Sequence, residues 1–526
     1  MPDIKQLEQT RLKLQKQLDA AKTQAERNQL GQFSTPSKLA QEIVTYTLSL
    51  FPSEAKIRYL EPGFGTGSFY SALLQSVPMH RIETAVGYEI DPHYARPAME
   101  IWAETGLQLH IGDFTKAIPP QVEKEKFNLV ICNPPYIRHH HLKQAHKREL
   151  QASVERYLHL RMNGLSGLYV YFLILSKAWM SNNGIGIWLV PSEFMDVNYG
   201  QEVKQFLVEQ VTLRRIHRFD PQDVQFDDAL VSSAVVVFQN TPPSTDHKIE
   251  FSLGGKITEP RLSKNIKSGT LVKNSKWTAL PTNSPQASEK SAGTLGDLFT
   301  IKRGLVTGYN KFFILRPEQI SKWRLPNEFL VPILPSPRYL ETNEIFADER
   351  GNPKIKNILY LLDCNLPEDI VRAKYPSLWN YLQYGIETGV HERYLCRHRS
   401  PWYAQEKRPP ALFLCTYMGR VTQENSNPFR FILNHSKATA PNVYLMLYPK
   451  QVLLSAIKDN PDAVKAVWDA LSSISNEMLI REGRVYGGGL HKLEPKELAN
   501  VPSDLMLEAF PNKKILKIYR QLRLFS

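Results

Sequence analysis

From Ile57 to about Gln239 the chain alternates short apolar runs with segments of helical periodicity. The runs are Tyr59-Leu60, Ala85-Val86-Gly87-Tyr88, Leu107-Gln108-Leu109, Leu129-Val130-Ile131, Gly186-Ile187-Trp188-Leu189-Val190 and Ser232 to Phe238. Strands of this length spaced by helices predict a mainly parallel sheet with helices on both faces, an α/β fold. Upstream, residues 3–30 are polar and helix-forming, with Leu7, Leu12, Leu14 and Leu18 set among Lys, Gln and Glu. They predict one amphipathic helix that covers the first domain, the heptads being too few for a coiled coil. Gly31-Gln32-Phe33-Ser34-Thr35-Pro36 breaks the pattern before a helix from about Lys38 to Leu50, with Thr35 or Ser34 as its cap and Pro36 in its first turn. Residues 240–290 turn to Ser, Thr, Pro, Lys and Asn and predict an edge segment with a linker. From Leu295 to about Leu524 there is neither a βαβ rhythm nor an internal repeat. The expected divisions are an N-terminal helix (1–30), an α/β domain (31–240), the edge segment and linker (241–290) and a second domain (291–526).

Length supports that division, since 526 residues exceed one ordinary core. Hydrophobic residues make up 42% of the chain, yet the richest stretch, Leu168 to Met180, is shorter than the ~20 residues of a membrane span. The N-terminus has no apolar signal core, and Cys132, Cys364, Cys396 and Cys415 are too scattered for a zinc site or a disulfide framework. A reducing cytoplasm is the expected setting. Lys and Arg outnumber Asp and Glu by 65 to 52, a net charge of +13, which favours a polyanionic partner without requiring one. His139-His140-His141 does not alter this picture. Adjacent histidines cannot all face one ion on a regular backbone, so they read as a solvated basic loop, and no metal is expected.

The candidate chemistry lies at strand exits. Asn133-Pro134-Pro135-Tyr136 follows the apolar run Phe127 to Cys132, and two prolines forbid both strand pairing and helix continuation. The Asn133 side-chain oxygen and the Pro134 carbonyl can each accept one hydrogen of an exocyclic amino group, while Tyr136 offers a face for a planar base. The plainer alternative is a Pro-Pro strand terminator with an Asn cap. Cys132 beside it reads as a small buried hydrophobe rather than a nucleophile. Earlier, Tyr59-Leu60-Glu61-Pro62-Gly63-Phe64-Gly65-Thr66-Gly67-Ser68 is a strand, a glycine-rich turn and a helix start, suited to close approach of a ligand to backbone. Glu89 ends the next strand, where a carboxylate can hold ribose hydroxyls, so a nicotinamide dinucleotide fold stays open. Glu61 argues the other way, because it would repel a pyrophosphate but suits an ammonium or sulfonium group. Asp113 follows a third strand, with Phe114 placed to pack on a ring. Each carboxylate alone fits a solvated strand end or a helix cap. Three in series upstream of Asn133 are harder to explain that way.

In this order the motifs resemble the amino-methyltransferases of DNA, specifically the adenine-N6 enzymes with cofactor motifs first and a target-recognition region last. The resemblance implies a Rossmann-like S-adenosylmethionine-dependent catalytic domain followed by a mixed α/β target-recognition domain. Gly31 to Pro36 is similar to the family's N-terminal cofactor motif, so Thr35 would contact the methionine end. S-adenosyl-L-methionine would be held by Thr35, Glu61, Gly63, Gly65, Gly67, Glu89, Ile90, Asp113 and Phe114. Asn133, Pro134 and Tyr136 would act on a flipped adenine, with Phe226 as a second stacking aromatic and Phe219 as its competitor. Leu298 to Gly308 and Arg484 to Leu490 resemble parts of the specificity domain. Cations there interleave with aromatics, as in Arg393, Arg397, Arg399, Trp402 and Tyr403, and Lys302, Arg303, Arg397, Arg399 and Arg484 are the candidates for contact with double-stranded DNA. The implied setting is a prokaryotic restriction–modification pair, with a cognate endonuclease as functional partner and the methylase acting as a monomer. An RNA or protein-amide methyltransferase and a non-catalytic DNA-binding module are the alternatives.

Overall fold

Alternate residues of the central strands serve two separate cores, as a sheet covered on both faces requires. Tyr59, Leu129 and Ile131 join one cluster, and Leu60, Val130 and Cys132 the other, all fully buried. The computed structural model describes residues 3–196, 200–220, 232–244, 246–271, 276–280, 293–420, 427–486 and 489–503. The chain divides into two compact units, residues 1–284 with 486–489 and residues 285–485 with 490–526. Among the described residues no helix is long and apolar enough to cross a membrane.

The first unit is a mixed α/β layer structure. Its sheet contains β1 (Ile57–Glu61), β2 (Ile82–Glu89), β3 (Leu107–Ile111), β4 (Phe127–Cys132), β5 (Met180–Pro191), β6 (Thr212–Arg218), β7 (Ser233–Gln239), β8 (Lys248–Gly255) and β9 (Pro260–Lys267). The strand order is β3-β2-β1-β4-β5-β7-β6-β8-β9. The first five strands are parallel, and β7 inserts antiparallel to both β5 and β6. That insertion departs from the open 3-2-1-4-5-6 sheet of dinucleotide-binding folds. The order reverses between β1 and β4, which opens a crevice at the carboxyl ends of the strands.

Among the described residues of this unit the helices are α1 (Ile4–Ala20), α2 (Gln24–Leu30), α3 (Ser37–Leu48), α4 (Ser68–Ser76), α5 (Pro92–Ile101), α6 (Gln144–Leu158), α7 (Leu168–Ser176) and α8 (Gln201–Glu209). The apolar residues of α3, α4 and α5 fill one core, and those of α6, α7 and α8 the other. Every residue of α7 is buried, which explains why this segment is the most apolar in the chain. Each fully buried Leu, Ile or Phe contributes ~1.5–3 kcal/mol relative to exposure.

Two expectations are corrected here. Residues 3–30 are two helices rather than one: Thr23 accepts from Glu26 N–H, and Glu26 returns the bond to the Thr23 N–H, a capping box that starts α2. Helix α3 begins at Ser37 with Pro36 as its N-cap residue, so neither Thr35 nor Ser34 caps it. The expected mainly parallel sheet is found, with β7 and β9 running against the other strands. Within residues 240–290, β8 pairs with β6 and β9 with β8, so two strands form this edge of the sheet.

The second unit contains a five-stranded sheet in the order Phe299–Arg303, Tyr444–Pro449, Phe413–Thr416, Phe431–Asn434 and Glu344–Ile345. Its strands also alternate between two cores, Phe413, Leu433 and Leu447 facing one and Leu414, Ile432 and Met446 the other. A third apolar cluster gathers residues from Leu305 to Tyr403, including Phe312, Tyr381 and Cys396.

Candidate active site

A cavity of about 380 Å³ opens at the strand ends of the first unit. Glu61, Gly63, Gly65, Glu89, Ile90, Asp113, Phe114, Thr35 and Asn133 all line it. Residues up to a hundred positions apart thus meet because β1, β2, β3 and β4 end along one edge of the sheet.

Glu61 terminates β1 and is almost fully buried. The Tyr59 hydroxyl donates to its Oε2 at 2.6 Å, and among the described residues no ion pair reaches it. Burial pushes its carboxyl well above the usual range, against the pull of the Tyr59 bond and the Arg11 charge. Beyond Glu61, Gly63 lies against the Asn133 carbonyl and the Cys132 sulfur. The turn closes with Gly67 at φ +87°, where an added Cβ would fall 2.6 Å from the Phe64 ring and 2.8 Å from Trp102 Nε1, so only glycine fits. Gly67 does not line the cavity; it shapes the turn that does.

The Glu89 carboxylate is held at both oxygens, accepting from Gly65 N–H (2.8 Å) and Asp91 N–H (2.9 Å). Burial raises its pKa, with these bonds opposing the rise. Asp113 Oδ1 accepts from the Thr115 amide and hydroxyl, while Oδ2 stands 3.8 Å from His146 Nε2. Phe114 is clamped among Tyr88, Phe172 and Trp179, whose ring centres lie 5.3–5.7 Å away. Ile90 is an exposed apolar side chain on the cavity wall.

At the exit of β4, Asn133 Nδ2 donates to the Phe33 carbonyl (2.9 Å) and to Thr35 Oγ1 (3.1 Å). Both donors are therefore spent within the protein. Its Oδ1 is buried and has no hydrogen-bond partner. An unmet buried acceptor costs about 1–3 kcal/mol, so the arrangement asks for a donor from outside the chain. The turn itself is braced by Tyr136 N–H to the Gly31 carbonyl (3.2 Å) and Ile137 N–H to the Pro135 carbonyl (3.1 Å). Pro134 is buried, and the Tyr136 hydroxyl donates to the Leu189 carbonyl (3.0 Å). Burial holds the Tyr136 phenol well above its usual pKa. Neither Pro134 nor Tyr136 is among the cavity-lining residues; they stand beside it, with the Phe33 ring 5.7 Å from that of Tyr136.

Gly31 locks the two segments together. It sits at φ +65°, and an added Cβ would lie 2.5 Å from the Tyr136 nitrogen. Gly31→Ala is therefore expected to destabilise the protein by more than the ~1–2 kcal/mol of a left-handed non-glycine residue, and to impair activity by displacing the Asn133 turn. Thermal unfolding with a parallel transfer assay checks this, and an unchanged midpoint would remove the clash from the account.

Phe226 lies outside the described residues. Its competitor Phe219 is buried in the core of the first unit and packs edge-on against His217 at 4.9 Å. His139–His141 forms one turn of helix, of which His141 reaches the cavity wall. Sequence reasoning missed Gln15, Asp19, Tyr94, His146 and Phe172, all on the lining.

In the second unit the five basic candidates differ in their surroundings. Lys302 and Arg397 are exposed, the latter 5.5 Å from the centre of the Tyr394 ring. Arg303 donates to the Asn442 carbonyl (3.0 Å) and lies over the Tyr417 ring at 4.1 Å. Arg399 donates to the carbonyls of Val306 (2.7 Å) and Thr307 (2.8 Å) and to Gln405. Arg484 pairs with Glu497 at 2.5 Å. Arg303, Arg399 and Arg484 thus make intramolecular contacts that the sequence did not reveal.

Comparison with known proteins places these features in context. A family model described as type II methyltransferase M.Eco57I, C-terminal domain, matches residues 281–524, and one described as Eco57I restriction-modification methylase matches residues 90–225. The type II methyltransferase M.AccI of Acinetobacter calcoaceticus is 25% identical over 517 residues, covering 94% of this chain and 90% of its own. M.XamI of Xanthomonas campestris pv. amaranthicola is 25% identical over 485 residues, covering 89% and 84%. Among solved structures, the type IIL restriction-modification enzyme MmeI in complex with DNA aligns with a TM-score of 0.51 at 12% identity, over 99% of this chain and 76% of that one. The DrdV–DNA complex aligns with a TM-score of 0.52 at 12% identity, over 87% and 54%. At such identities the structural likeness concerns the fold alone.

Proposed function

We propose that the chain is a type II DNA methyltransferase of the kind its Eco57I-family matches describe, and that it methylates N6 of adenine at a specific double-stranded site, using S-adenosyl-L-methionine in a Rossmann-like catalytic domain. The observation that carries this reading is the buried, unpartnered Asn133 Oδ1 at a strand exit lined by Glu61, Glu89 and Asp113. Adenine offers what that oxygen lacks, an exocyclic N–H.

The cavity suits the cofactor. Buried carboxyls at Glu61 and Glu89 favour a ligand that is cationic at one end and rich in hydroxyl donors in the middle, and the Phe114 face with Ile90 and Asp113 suits a purine. When bound, S-adenosyl-L-methionine supplies an electrophilic methyl on sulfonium with a neutral thioether leaving group, so no metal or strong base is required. Glu61 would hold the ammonium, Glu89 the ribose, Asp113 the adenine amino group, and Thr35 the methionine end. The Asn133 amide cannot turn freely, since Nδ2 is tied to Phe33 and Thr35. Its oxygen then draws one amino hydrogen and the Pro134 carbonyl the other, which disfavours conjugation of the nitrogen lone pair with the ring and aims it at the methyl. Positioning and preorganised dipoles supply most of the catalysis. Extruding the adenine costs ~a few kcal/mol. Tyr136 and Phe226 are proposed to offset this by stacking, at ~1–3 kcal/mol per base.

The second unit would read the target sequence. Arg397→Ala is expected to weaken DNA binding and reduce the slope of log K against log salt by about one, as loss of a phosphate contact does. Arg399→Ala should instead lower stability by about 1.5–3 kcal/mol, because its guanidinium satisfies backbone carbonyls. Salt-dependent binding and thermal unfolding of both variants separate the roles, and reversed outcomes would exchange the assignments.

The reading itself is tested by incubating the protein with unmethylated genomic DNA and labelled cofactor, then sequencing for modified bases. N6-methyladenine within one recurring short sequence supports it. Cofactor binding without incorporation into DNA would move RNA or protein to the head of the substrate list.

A further inference from the structure

Helix α1 covers the first unit as expected, with Ile4 and Leu7 packed against its core, but its deepest contact is polar. Leu12 is 39% exposed, and the one fully buried residue of the helix is a cation, Arg11, at 1% exposure. Glu8, Arg11, Gln15 and Asp19 follow one another at spacings of three and four, so they form a stripe along one face. That stripe meets the glycine-rich turn. Arg11 donates Nε and Nη2 to the two oxygens of Glu8 (2.6 and 2.7 Å), Nη1 to Thr66 Oγ1 (3.2 Å) and Ser68 Oγ (3.0 Å), and Nη2 to Ser37 Oγ (2.8 Å). Glu8 in turn accepts from Ser37 and Ser71, both at 2.6 Å. One ion pair therefore ties α1 to the start of α3, the end of the turn and the first helical turns of α4.

The stripe continues onto the cavity. Thr66 Oγ1 donates to Gln15 Oε1, and Gln15 Nε2 donates to both oxygens of Asp19 (2.9 and 3.0 Å). Asp19 also accepts from the Tyr94 hydroxyl (2.8 Å), and Gln15, Asp19 and Tyr94 all line the cavity. Beyond them, Lys22 and Gln32 both bind Asp91, two residues past Glu89. The helix thus runs over the cavity from the glycine turn to the exit of β2.

We propose that α1 completes the cofactor site, with Asp19 and Gln15 as cofactor-contacting residues and Arg11 as the positioning residue that clamps the glycine turn, so that cofactor entry and release require α1 to lift. The inference rests on the reading of this cavity as the S-adenosylmethionine site. Asp19 adds a carboxylate to a wall that already carries Glu61 and Glu89, which suits the same cationic and hydroxyl-bearing ligand. Arg11 does not face the ligand; it acts through Thr66 and Ser68.

The test is amide hydrogen exchange on the full chain with and without saturating S-adenosylhomocysteine, together with calorimetric titration and displacement kinetics for the variants Arg11→Met, Arg11→Lys and Asp19→Asn. We expect the ligand to slow exchange across residues 4–20 as well as at 61–67. Arg11→Met should raise the dissociation constant and the release rate at least tenfold, Arg11→Lys should recover part of both, and Asp19→Asn should raise the dissociation constant severalfold. DNA affinity should stay unchanged in all three. Protection confined to 61–67 and the exit of β2, with α1 exchange unaltered, would overturn the proposal even if Arg11→Met failed to fold. Absence of both heat and protection with the wild-type chain would remove the cofactor reading and this proposal with it.

Discussion

Asn133→Ala is expected to abolish methyl transfer, lowering kcat by at least the ~10²–10³-fold that removal of one preorganised transition-state contact costs, while leaving cofactor affinity within a few-fold. The asymmetry follows from the geometry of the side chain. Nδ2 is committed to Phe33 and Thr35, so the amide holds the N-terminal motif against the β4 exit, and Oδ1 is the group left for the substrate. Truncation removes both functions, but only the second bears on the reacting nitrogen. Asn133→Asp separates them. It retains an acceptor and cannot donate to Phe33 and Thr35 when ionised, so it should lose positioning and fall between the wild type and Asn133→Ala. Single-turnover transfer rates with saturating DNA, set beside calorimetric affinities for S-adenosylhomocysteine, measure the two effects. Near-wild-type turnover in a natively folded Asn133→Ala protein would remove Asn133 from the mechanism.

Why this residue was legible in the sequence, and α1 was not, has a physical explanation. The run from Leu129 to Cys132 is buried on both faces, so it is continuously apolar, and the polar residue after it marks the strand exit without further information. Glu61 and Glu89 were legible in a similar way, each standing at the end of a largely apolar run, whereas Asp113 follows the edge strand Leu107–Ile111, whose apolar residues alternate with polar ones. Helix α1 carries its function in polar residues on a polar background, and nothing local distinguishes Arg11, almost fully buried, from Lys13 or Lys16, which are exposed. The capping box at Thr23 and Glu26 was visible in principle but lay within the same polar stretch. Strand β9 is exposed along most of its length and is held chiefly by its backbone pairing with β8, so it offers no alternation to read. Arg397 and Arg399 look equivalent in sequence. They diverge because the carbonyls that engage Arg399 belong to residues more than ninety positions away.

Glu61→Gln is expected to stabilise the cofactor-free protein at neutral pH while weakening cofactor binding and flattening its pH dependence. Burial is the largest influence on this carboxyl, and it raises the folded-state pKa well above the 4.5 of an ordinary glutamate. Between that ordinary value and the raised one, the native state binds more protons than the unfolded state, so stability falls as pH rises through the window, at up to about 1.4 kcal/mol per pH unit. Burial raises Glu89 as well, and it acts in the same direction. Glutamine carries no proton to lose and removes the Glu61 share of this slope. Binding has the opposite sign. An ammonium beside Glu61 favours the carboxylate, so below the raised pKa the cofactor binds with release of a proton, and affinity climbs with pH by at most about tenfold per unit. Above that pKa the dependence should level off. Thermal unfolding of both proteins from pH 5 to 8 measures the first effect. Calorimetric titrations in buffers of different ionisation enthalpy count the proton released in the second. A wild-type protein that binds cofactor with no proton release at any pH, or a Glu61→Gln protein of equal affinity, would show that the charge of Glu61 is not what meets the ligand.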